Sequence, residues 1–230
     1  MIGKTFKADL HMHTRHSVDS LSRVEDVLSA AVKKGLDAIA ITDHNEIAGA
    51  FEAQKIAKAR GLPLQVIIGE EVMCKEGDLL VYFLKRRIAP GPLAKVLKEV
   101  KKQGAVCSSA HPYDFKRSGI RLEKQPASVI AGISAIEAFN SRATFPQVNE
   151  SAVRFASLHK KPQLAGSDAH HPLEVGAAYA EFVRVHKLDK KNILSAPRKL
   201  HGKLSSPMVH FFSRYAVLRN RISGRKKRVD

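Results

Sequence analysis

The sequence predicts an α/β fold, and two observations support this prediction. The first is a series of short apolar segments with the length and composition of buried strands: residues 6–11, 36–42, 64–70, 79–84, 105–110, 134–139 and 162–167. The second is that stretches with helical patterning separate most of these segments. Continuous apolar strands separated by helices indicate a mainly parallel sheet covered on both faces. Seven such units favour a compact α/β barrel, and an open doubly wound sheet is the alternative.

The connecting elements have their own signals. Ser22 followed by Glu25 has the spacing of a capping box, which predicts a helix that ends near Gly35. Three further helices are predicted over residues 46–60, 92–103 and 147–160. The strand at 79–84 follows its predecessor too closely for a helical crossover, so we predict a hairpin or an irregular element there.

The positive charge of the chain is concentrated near its C-terminal end. The net charge is +17, and residues 184–230 hold 14 Lys and Arg against 2 Asp and Glu. We therefore predict a barrel at residues 1–183 and a basic helical extension at 184–230. This distribution argues against a uniformly basic, nucleic-acid-binding body. It allows contact between the extension and phosphates, anionic lipid or an acidic partner.

The extension contains one amphipathic segment. Residues 207–222 place six apolar side chains on one helical face: Met208, Phe211, Phe212, Tyr215, Leu218 and Ile222. We predict that this face packs against the barrel and that Arg214, Arg219 and Arg221 face solvent. Attachment to a membrane surface or to nucleic acid is the alternative. The terminal GRKKRVD is predicted to be disordered.

Other sequence features concern the compartment. Cys74 and Cys107 are too few for a disulfide framework, and the first ten residues lack the apolar stretch of a secretory signal. No apolar run approaches the roughly 20 residues that cross a bilayer. We therefore expect a cytoplasmic protein without a transmembrane segment. The oligomeric state is not readable from the sequence.

Histidines and carboxylates follow the predicted strands with little exception. They are His11, His13, His16, Asp19, Asp43, His44, Glu70, Glu71, His111, Glu137, Asn140, Asp168, His170 and His171. The carboxyl ends of barrel strands converge on one face, so these residues are expected to meet there. Imidazole with carboxylate suits Zn, Mn or Fe, and a cluster this rich predicts two or three divalent ions.

The segments DLHMHTRHSVDS, AITDHNEI, GEEV, AHPYD, IEAFNSR and GSDAHH, in that order, resemble the motifs of the PHP family, named for polymerase and histidinol phosphatase domains. The resemblance covers residues 8 to 183. It implies a distorted seven-stranded (β/α) barrel, similar to a TIM barrel. It also implies hydrolysis of phosphoesters with a cluster of up to three metal ions.

The resemblance also implies a ligand set. The first ion would be held by His11, His13, Glu71 and Asp168, the second by Glu71 and His111, and the third by Asp19, His44 and His170. One position departs from the family, because Asp78 stands where many members have a histidine. Asp78 would still ligate as a carboxylate, and the second site would then either favour Mn or Mg-like ions or be weakly occupied. The Gly-x-Glu spacing favours Glu71 as the bridging ligand, with Glu70 as the alternative.

The implied activity is hydrolysis of a phosphomonoester, of the sugar phosphate, nucleotide or histidinol phosphate class, by a hydroxide that bridges two ions. Arg15 and Arg142 are candidates for stabilising charge on the phosphoryl oxygens. Asp43 would orient a ligand histidine or accept a proton. Asn140 would bond to a substrate hydroxyl or to the attacking water.

Three other functions compete with this one. A nuclease would use the same cluster on single-stranded oligonucleotides or nucleotide ends and hold the strand with the basic extension. An amidohydrolase also begins with His-x-His after its first strand, but it usually needs a lysine at a middle strand end, and none stands there. The completeness of the ligand set opposes a binding module with an inactive site.

Overall fold

The computed structural model describes residues 5–222. Its strands are β1 (Thr5–Asp9), β2 (Ala38–Ile41), β3 (Gln65–Cys74), β4 (Gly77–Tyr82), β5 (Val106–Ser109), β6 (Ala135–Asn140), β7 (Gln163–Gly166), β8 (Ala178–Val183) and β9 (Arg198–Gly202). Its helices are α1 (Val24–Lys33), α2 (Ala48–Ala59), α3 (Leu93–Gln103), α4 (Ala127–Gly132), α5 (Pro146–Leu158), α6 (Asn192–Ser195) and α7 (Val209–Ile222).

The sheet is mixed and nearly closed. Its strand order within residues 5–222 is β7-β6-β5-β4-β3-β2-β1-β8-β9. β3, β4 and β5 pair antiparallel, as the short connection before β4 predicted, and the other pairs from β1 to β7 are parallel. Backbone bonds past the ends of β1 and β7 join the two strands, from Leu10 N to Ala165 O (3.3 Å) and from Asp168 N to His11 O (2.7 Å). The predicted mixed α/β, barrel-like fold is therefore confirmed.

The predicted number of seven strands is wrong, because the described sheet has nine. β8 pairs antiparallel with β1, and β9 pairs antiparallel with β8. Along β8 buried and partly exposed residues alternate, so this strand lacks the continuous apolar run by which the other strands were recognised. β9 lies inside residues 184–230, which we predicted to be helical. The domain division at residue 183 stays a prediction.

The core is arranged by the two-residue period of the strands. Ala38 and Ala40 of β2 join the cluster that fills the barrel, together with Leu80 and Tyr82. The intervening Ile39 and Ile41 belong to a different cluster, which packs against α1 and α2. On β2 the small side chains point inward and the larger ones pack under the helices, which is the alternation expected along a strand of a small barrel. This core holds the strands whose carboxyl ends carry the candidate site.

The predicted capping box of α1 is not formed. The residue before α1 is Arg23, whose side chain makes no capping hydrogen bond to the helix. The Ser22 hydroxyl donates instead to the carbonyl of His170 (2.8 Å), and so joins α1 to the last ligand-bearing loop. The other predicted helices begin and end within two residues of α2, α3 and α5.

The prediction for the packing of α7 is also wrong. All six apolar side chains that we expected against the barrel are exposed, whereas Ala216 and Asn220 are the buried residues of the helix. Polar bonds hold this orientation: Asn220 donates to Val18 O (2.8 Å), and Arg142 donates to Ser213 Oγ (2.8 Å).

Residues 223–230 lie outside the described part of the chain, so the predicted disorder of GRKKRVD is not tested. Within residues 5–222, no helix has the length and hydropathy needed to cross a bilayer.

Candidate metal centre

The strand ends place the candidate ligands on one side of the barrel. His11 and His13 follow β1, His44 follows β2, and Glu71 lies within β3, where it forms a parallel bridge with His44. His111 and Asp168 have positive φ angles of 26° and 57°. Such backbone costs about 1–3 kcal/mol for a residue other than glycine, and it is typical of functional sites. Two of the candidate ligands therefore have a strained backbone conformation.

The first donor group contains four buried atoms around one point. His11 Nε2, His13 Nε2 and Glu71 Oε2 lie 3.2 Å from one another. Asp168 Oδ1 lies 3.7 Å from His11 Nε2 and 3.5 Å from His13 Nε2. Ligands bound at about 2.1 Å in a tetrahedron lie about 3.4 Å apart. The spacing of these donors therefore fits a single divalent cation.

A second donor group shares Glu71. Its other oxygen, Oε1, lies 3.1 Å from His111 Nε2, and donor atoms of Glu71, Asp78 and His111 lie within 4.8 Å of one another. Burial, together with the nearby negative charge of Glu71, raises the pKa of Asp78 to about 7. The two oxygens of Glu71 thus face two adjacent groups, which is the arrangement of a bridging carboxylate.

The third donor group consists of His13, Asp19, His44 and His170. Asp19 Oδ2 lies 2.9 Å from His170 Nε2 and 3.3 Å from His44 Nε2. Burial would raise the pKa of Asp19, but the two histidines lower it well below its ordinary value. The carboxylate is therefore ionised and available as a ligand.

Several buried polar atoms of these side chains lack hydrogen-bond partners, and one of them, Asp168 Oδ1, belongs to the first donor group. Within the described residues they are His13 Nδ1, His44 Nδ1, His111 Nδ1 and Asp168 Oδ1, all buried. A buried polar atom without a partner costs about 1–3 kcal/mol. A cation bound in the first group would neutralise the carboxylates and supply Asp168 Oδ1 with the partner that the protein does not. The residues present therefore fit a cluster of divalent ions.

Hydrogen bonds from the second ring nitrogen orient two of the histidines. His11 Nδ1 donates to Glu137 Oε1 (2.9 Å), which leaves Nε2 facing the first group. His170 Nδ1 donates to the Asp168 carbonyl (2.8 Å), which leaves Nε2 facing Asp19. Fixing the ring in this way is common behind metal-ligating histidines. Glu137, to which the sequence analysis gave no role, also accepts from the His111 amide (2.5 Å).

Glu70 and Glu71 point to opposite faces of β3. Glu70 Oε2 accepts from the Ile88 amide (2.8 Å), far from the histidines that surround Glu71. Burial raises the pKa of Glu70 to about 8. The strand alternation thus brings Glu71 into the cluster and keeps Glu70 out of it.

The four predicted catalytic residues lie in different surroundings. Asn140 touches the cluster, because its Nδ2 donates to Asp168 Oδ2 (3.0 Å) and Glu137 Oε2 (3.1 Å). Asp43 lies behind the cluster, where it accepts from the amide and the hydroxyl of Thr14 (2.6 and 2.7 Å). The three donor groups of the described residues do not include Asp43.

The two predicted arginines have other partners. Arg142 is buried against Glu174 (3.3 Å) and donates to the Val209 carbonyl on α7 (2.8 Å). Arg15 pairs with Glu52 (2.7 Å) at the rim.

Arg117 is the cationic residue in direct contact with the cluster, and the sequence analysis missed it. Its guanidinium pairs with Asp168 Oδ2, and Nη1 donates to Asn140 Oδ1 (3.3 Å). Burial would lower the pKa of Arg117, but the Asp168 carboxylate raises it, so the guanidinium is charged. Arg117 belongs to a short 3-10 turn (Phe115–Arg117) rather than to a strand end, so the strand-end pattern did not reveal it.

The comparisons with known proteins agree with this geometry. A model of the PHP-associated family matches residues 146–200. Two uncharacterized proteins of Methanocaldococcus jannaschii are similar to the chain. MJ0417 is 30% identical over 194 residues, which are 82% of this chain and 75% of that protein. MJ1587 is 37% identical over 118 residues, which are 46% of this chain and 68% of that protein.

A crystal structure from Bacteroides vulgatus, of a two-domain protein containing a predicted PHP-like metal-dependent phosphoesterase, is similar in fold. Its TM-score is 0.70 at 20% identity, and the likeness covers 87% of this chain and 66% of that chain. A model of the PHP domain matches residues 9–147. Because that match spans more than half of the sequence, the chain belongs to the PHP domain family.

Proposed function

We propose that the protein is a metal-dependent phosphoesterase that hydrolyses a phosphomonoester of the sugar phosphate, nucleotide or histidinol phosphate class. The observation that carries this proposal is the position of Glu71, whose two carboxylate oxygens face two adjacent groups of histidine and carboxylate donors. Two or three divalent ions, Mn, Zn or Fe, would be held by the three donor groups. When bound, such ions would acidify water and neutralise charge on phosphoryl oxygens.

The protein side chains would position the ester. Asn140 Nδ2 binds Asp168 Oδ2, so that Oδ1 stays directed at His11 and His13. Arg117 stands at the edge of the cluster and would donate to phosphoryl oxygens, where charge grows in the transition state. Arg142 would act indirectly, by fixing α7 beside the site.

A groove beside Arg117 supports binding of a phosphorylated small molecule. It has a volume of about 420 Å³, and its lining includes Lys116, Arg117, His210 and Arg214. Cationic side chains suit the phosphate of the substrate. A nuclease acting on single-stranded oligonucleotides is the second candidate, supported by the 14 Lys and Arg of residues 184–230.

We also propose a cytoplasmic location. Cys74 and Cys107 are both free thiols, and unpaired cysteines are usual in a reducing compartment.

The test is hydrolysis of a substrate panel by protein reconstituted separately with Mn, Zn and Fe(II). We expect phosphate release from a phosphomonoester, loss of the activity on chelation and recovery when metal is restored. Preferred cleavage of oligonucleotides would support the nuclease instead.

Glu71→Gln should abolish the activity, because it weakens both adjacent donor groups. The neighbouring Glu70→Gln is the matched control and should remain active, since Glu70 accepts from the Ile88 amide and belongs to none of the three donor groups of the described residues. Normal turnover in Glu71→Gln would contradict the proposal.

A further inference from the structure

We propose that α7 is an interfacial helix that docks the protein onto an anionic lipid surface. One side of the helix is attached to the protein. Ala216 and Asn220 are buried there, Asn220 donates to Val18 O, and Ser213 accepts from Arg142. These contacts are made by small or polar side chains, and Phe212 adds a ring that stacks on His171 with 4.9 Å between centroids. The other large apolar side chains of the helix, Phe211, Tyr215, Leu218 and Ile222, are exposed.

The apolar side chains form one continuous outward stripe. At about 100° per residue, Phe211, Tyr215, Leu218 and Ile222 fall within a sector of about 60° that lies opposite Ala216 and Asn220. Their exposed fractions are 67%, 61%, 57% and 79%. Single exposed apolar residues are common on protein surfaces, but a continuous stripe along about three helical turns indicates a surface that binds something apolar.

Arginines border this stripe on both sides. Arg214 and Arg221 lie along one edge and Arg219 along the other, and all three are exposed. The sequence contains no Asp or Glu from residue 190 to residue 229, and Arg225, Lys226, Lys227 and Arg228 follow the helix. An apolar centre with cationic edges is the pattern of a helix that lies in the headgroup region of an anionic bilayer.

The same charges disfavour two other occupants. A second copy packed on this stripe by two-fold symmetry would bring like-charged arginine edges together. Nucleic acid binds to exposed aromatic platforms, whereas Leu218 and Ile222 offer aliphatic surface at the C-terminal half of the stripe. Anionic lipid satisfies both features of the surface, the apolar stripe and its arginine edges.

The docking surface adjoins the candidate active site. Phe211 and Arg214 belong to the outward side of α7 and also line the groove beside Arg117. Docking through α7 would therefore bring the mouth of the groove close to the lipid headgroups. The inference does not depend on which ester the protein hydrolyses.

The test is cosedimentation of the full chain with vesicles of phosphatidylcholine that contain phosphatidylglycerol, compared with phosphatidylcholine alone. We expect binding to the anionic vesicles only. Leu218→Ser/Ile222→Ser should weaken this binding by about tenfold or more, because two apolar side chains no longer enter the interface. Arg219→Gln/Arg221→Gln should weaken binding and reduce its dependence on salt. None of these residues lines the groove.

Matched controls keep the test specific. Leu158→Ser/Leu173→Ser removes two leucines of similar exposure elsewhere, and Lys101→Gln/Lys102→Gln removes two charges from α3; both should bind vesicles as the parent protein does. Absence of binding to anionic vesicles would overturn the proposal. So would unchanged binding by Leu218→Ser/Ile222→Ser. A dimer or an oligonucleotide complex that depends on Leu218 and Ile222, without vesicle binding, would assign the surface to that partner instead.

Discussion

The side chains of the cluster hold one another in place through shared carboxylates. Asp168 shows this most clearly, because Oδ1 faces His11 and His13 while Oδ2 binds Arg117 and Asn140. Burial would raise the pKa of Asp168, but Arg117 and His11 lower it well below its ordinary value. The carboxylate is therefore a preformed anion with one oxygen directed at the donor group.

Neutralising this carboxylate should disable the site while the fold persists. We expect Asp168→Asn to lower turnover by at least about a hundredfold, because a donor of the first group loses its charge. His111→Ala should lower turnover by a similar factor, because it removes a donor of the second group. Steady-state kinetics after full metal loading checks both, with circular dichroism as the control for folding. Near-normal turnover in either variant would remove that residue from the assignment.

A separate prediction concerns Arg117, because its side chain is a cation and not a metal ligand. Arg117→Gln should lower kcat by about a hundredfold if the guanidinium stabilises charge on the phosphoryl oxygens. The adjacent Lys116→Gln should change kcat much less, since the Lys116 ammonium lies over the Phe145 ring, whereas Arg117 pairs with Asp168. Equal kcat values for the two variants would contradict this role for Arg117.

The sequence predicted the residues of the three donor groups, but it did not predict which other side chains contact them. Strand alternation, a local property, places His11 and His13 on the same side of the chain and Glu70 and Glu71 on opposite sides. It did not tell which of the two glutamates faces the cluster. Arg117 and Arg142 could not be sorted in this way. The partners of Arg117 depend on how its 3-10 turn packs against the barrel, and those of Arg142 depend on how α7 packs there. The local sequence pattern does not predict either packing.

At the scale of elements, continuous apolar segments were recognised reliably and alternating ones were not. β1 to β7 were all predicted, because both of their faces are covered. β8 was missed because every second residue is partly exposed, and β9 was missed because none of its residues is buried. The face of α7 was predicted wrongly because the hydrophobic pattern identifies an apolar stripe without saying what covers it.

The packing of α2 against the loops after β1 and β2 gives a prediction for Gly49. A Cβ atom there would lie 2.1 Å from Asp43 Oδ2 and 2.5 Å from Thr14 Oγ1. We therefore expect Gly49→Ala to lower the free energy of unfolding by about 1–3 kcal/mol. Gly91→Ala is the control, since a Cβ at Gly91 would meet nothing within 4 Å. Denaturant titration measures both, and equal stability of the two variants would show that the loops adjust freely.

At the scale of the whole molecule, the candidate site is built from donor side chains that lie far apart in the sequence. Donors come from segments as far apart as His11 and His170. We expect at least two ions per chain by elemental analysis after reconstitution with Mn, Fe or Zn. The unfolding midpoint should fall on chelation, because an ion at a hundred times its Kd adds about 2.7 kcal/mol. Less than one ion per chain would contradict the assignment of the cluster.

The closure of the barrel passes through the ligand loops themselves. His13 N bonds to Ala169 O (2.8 Å), Asp168 N bonds to His11 O (2.7 Å), and Met12 pairs with Ala169. The amides that join the first strand to the last ligand loop therefore belong to the same residues as the proposed ligands, or to their neighbours. Opening there would separate His13 from Asp168, so a bound ion would have to leave before the amide protons could reach solvent. In hydrogen–deuterium exchange, the His13 and Asp168 amides should be protected far more strongly by metal than those of α3, which lies outside the ligand loops. The rate at which deuterium enters these two positions would then report the residence time of the ion.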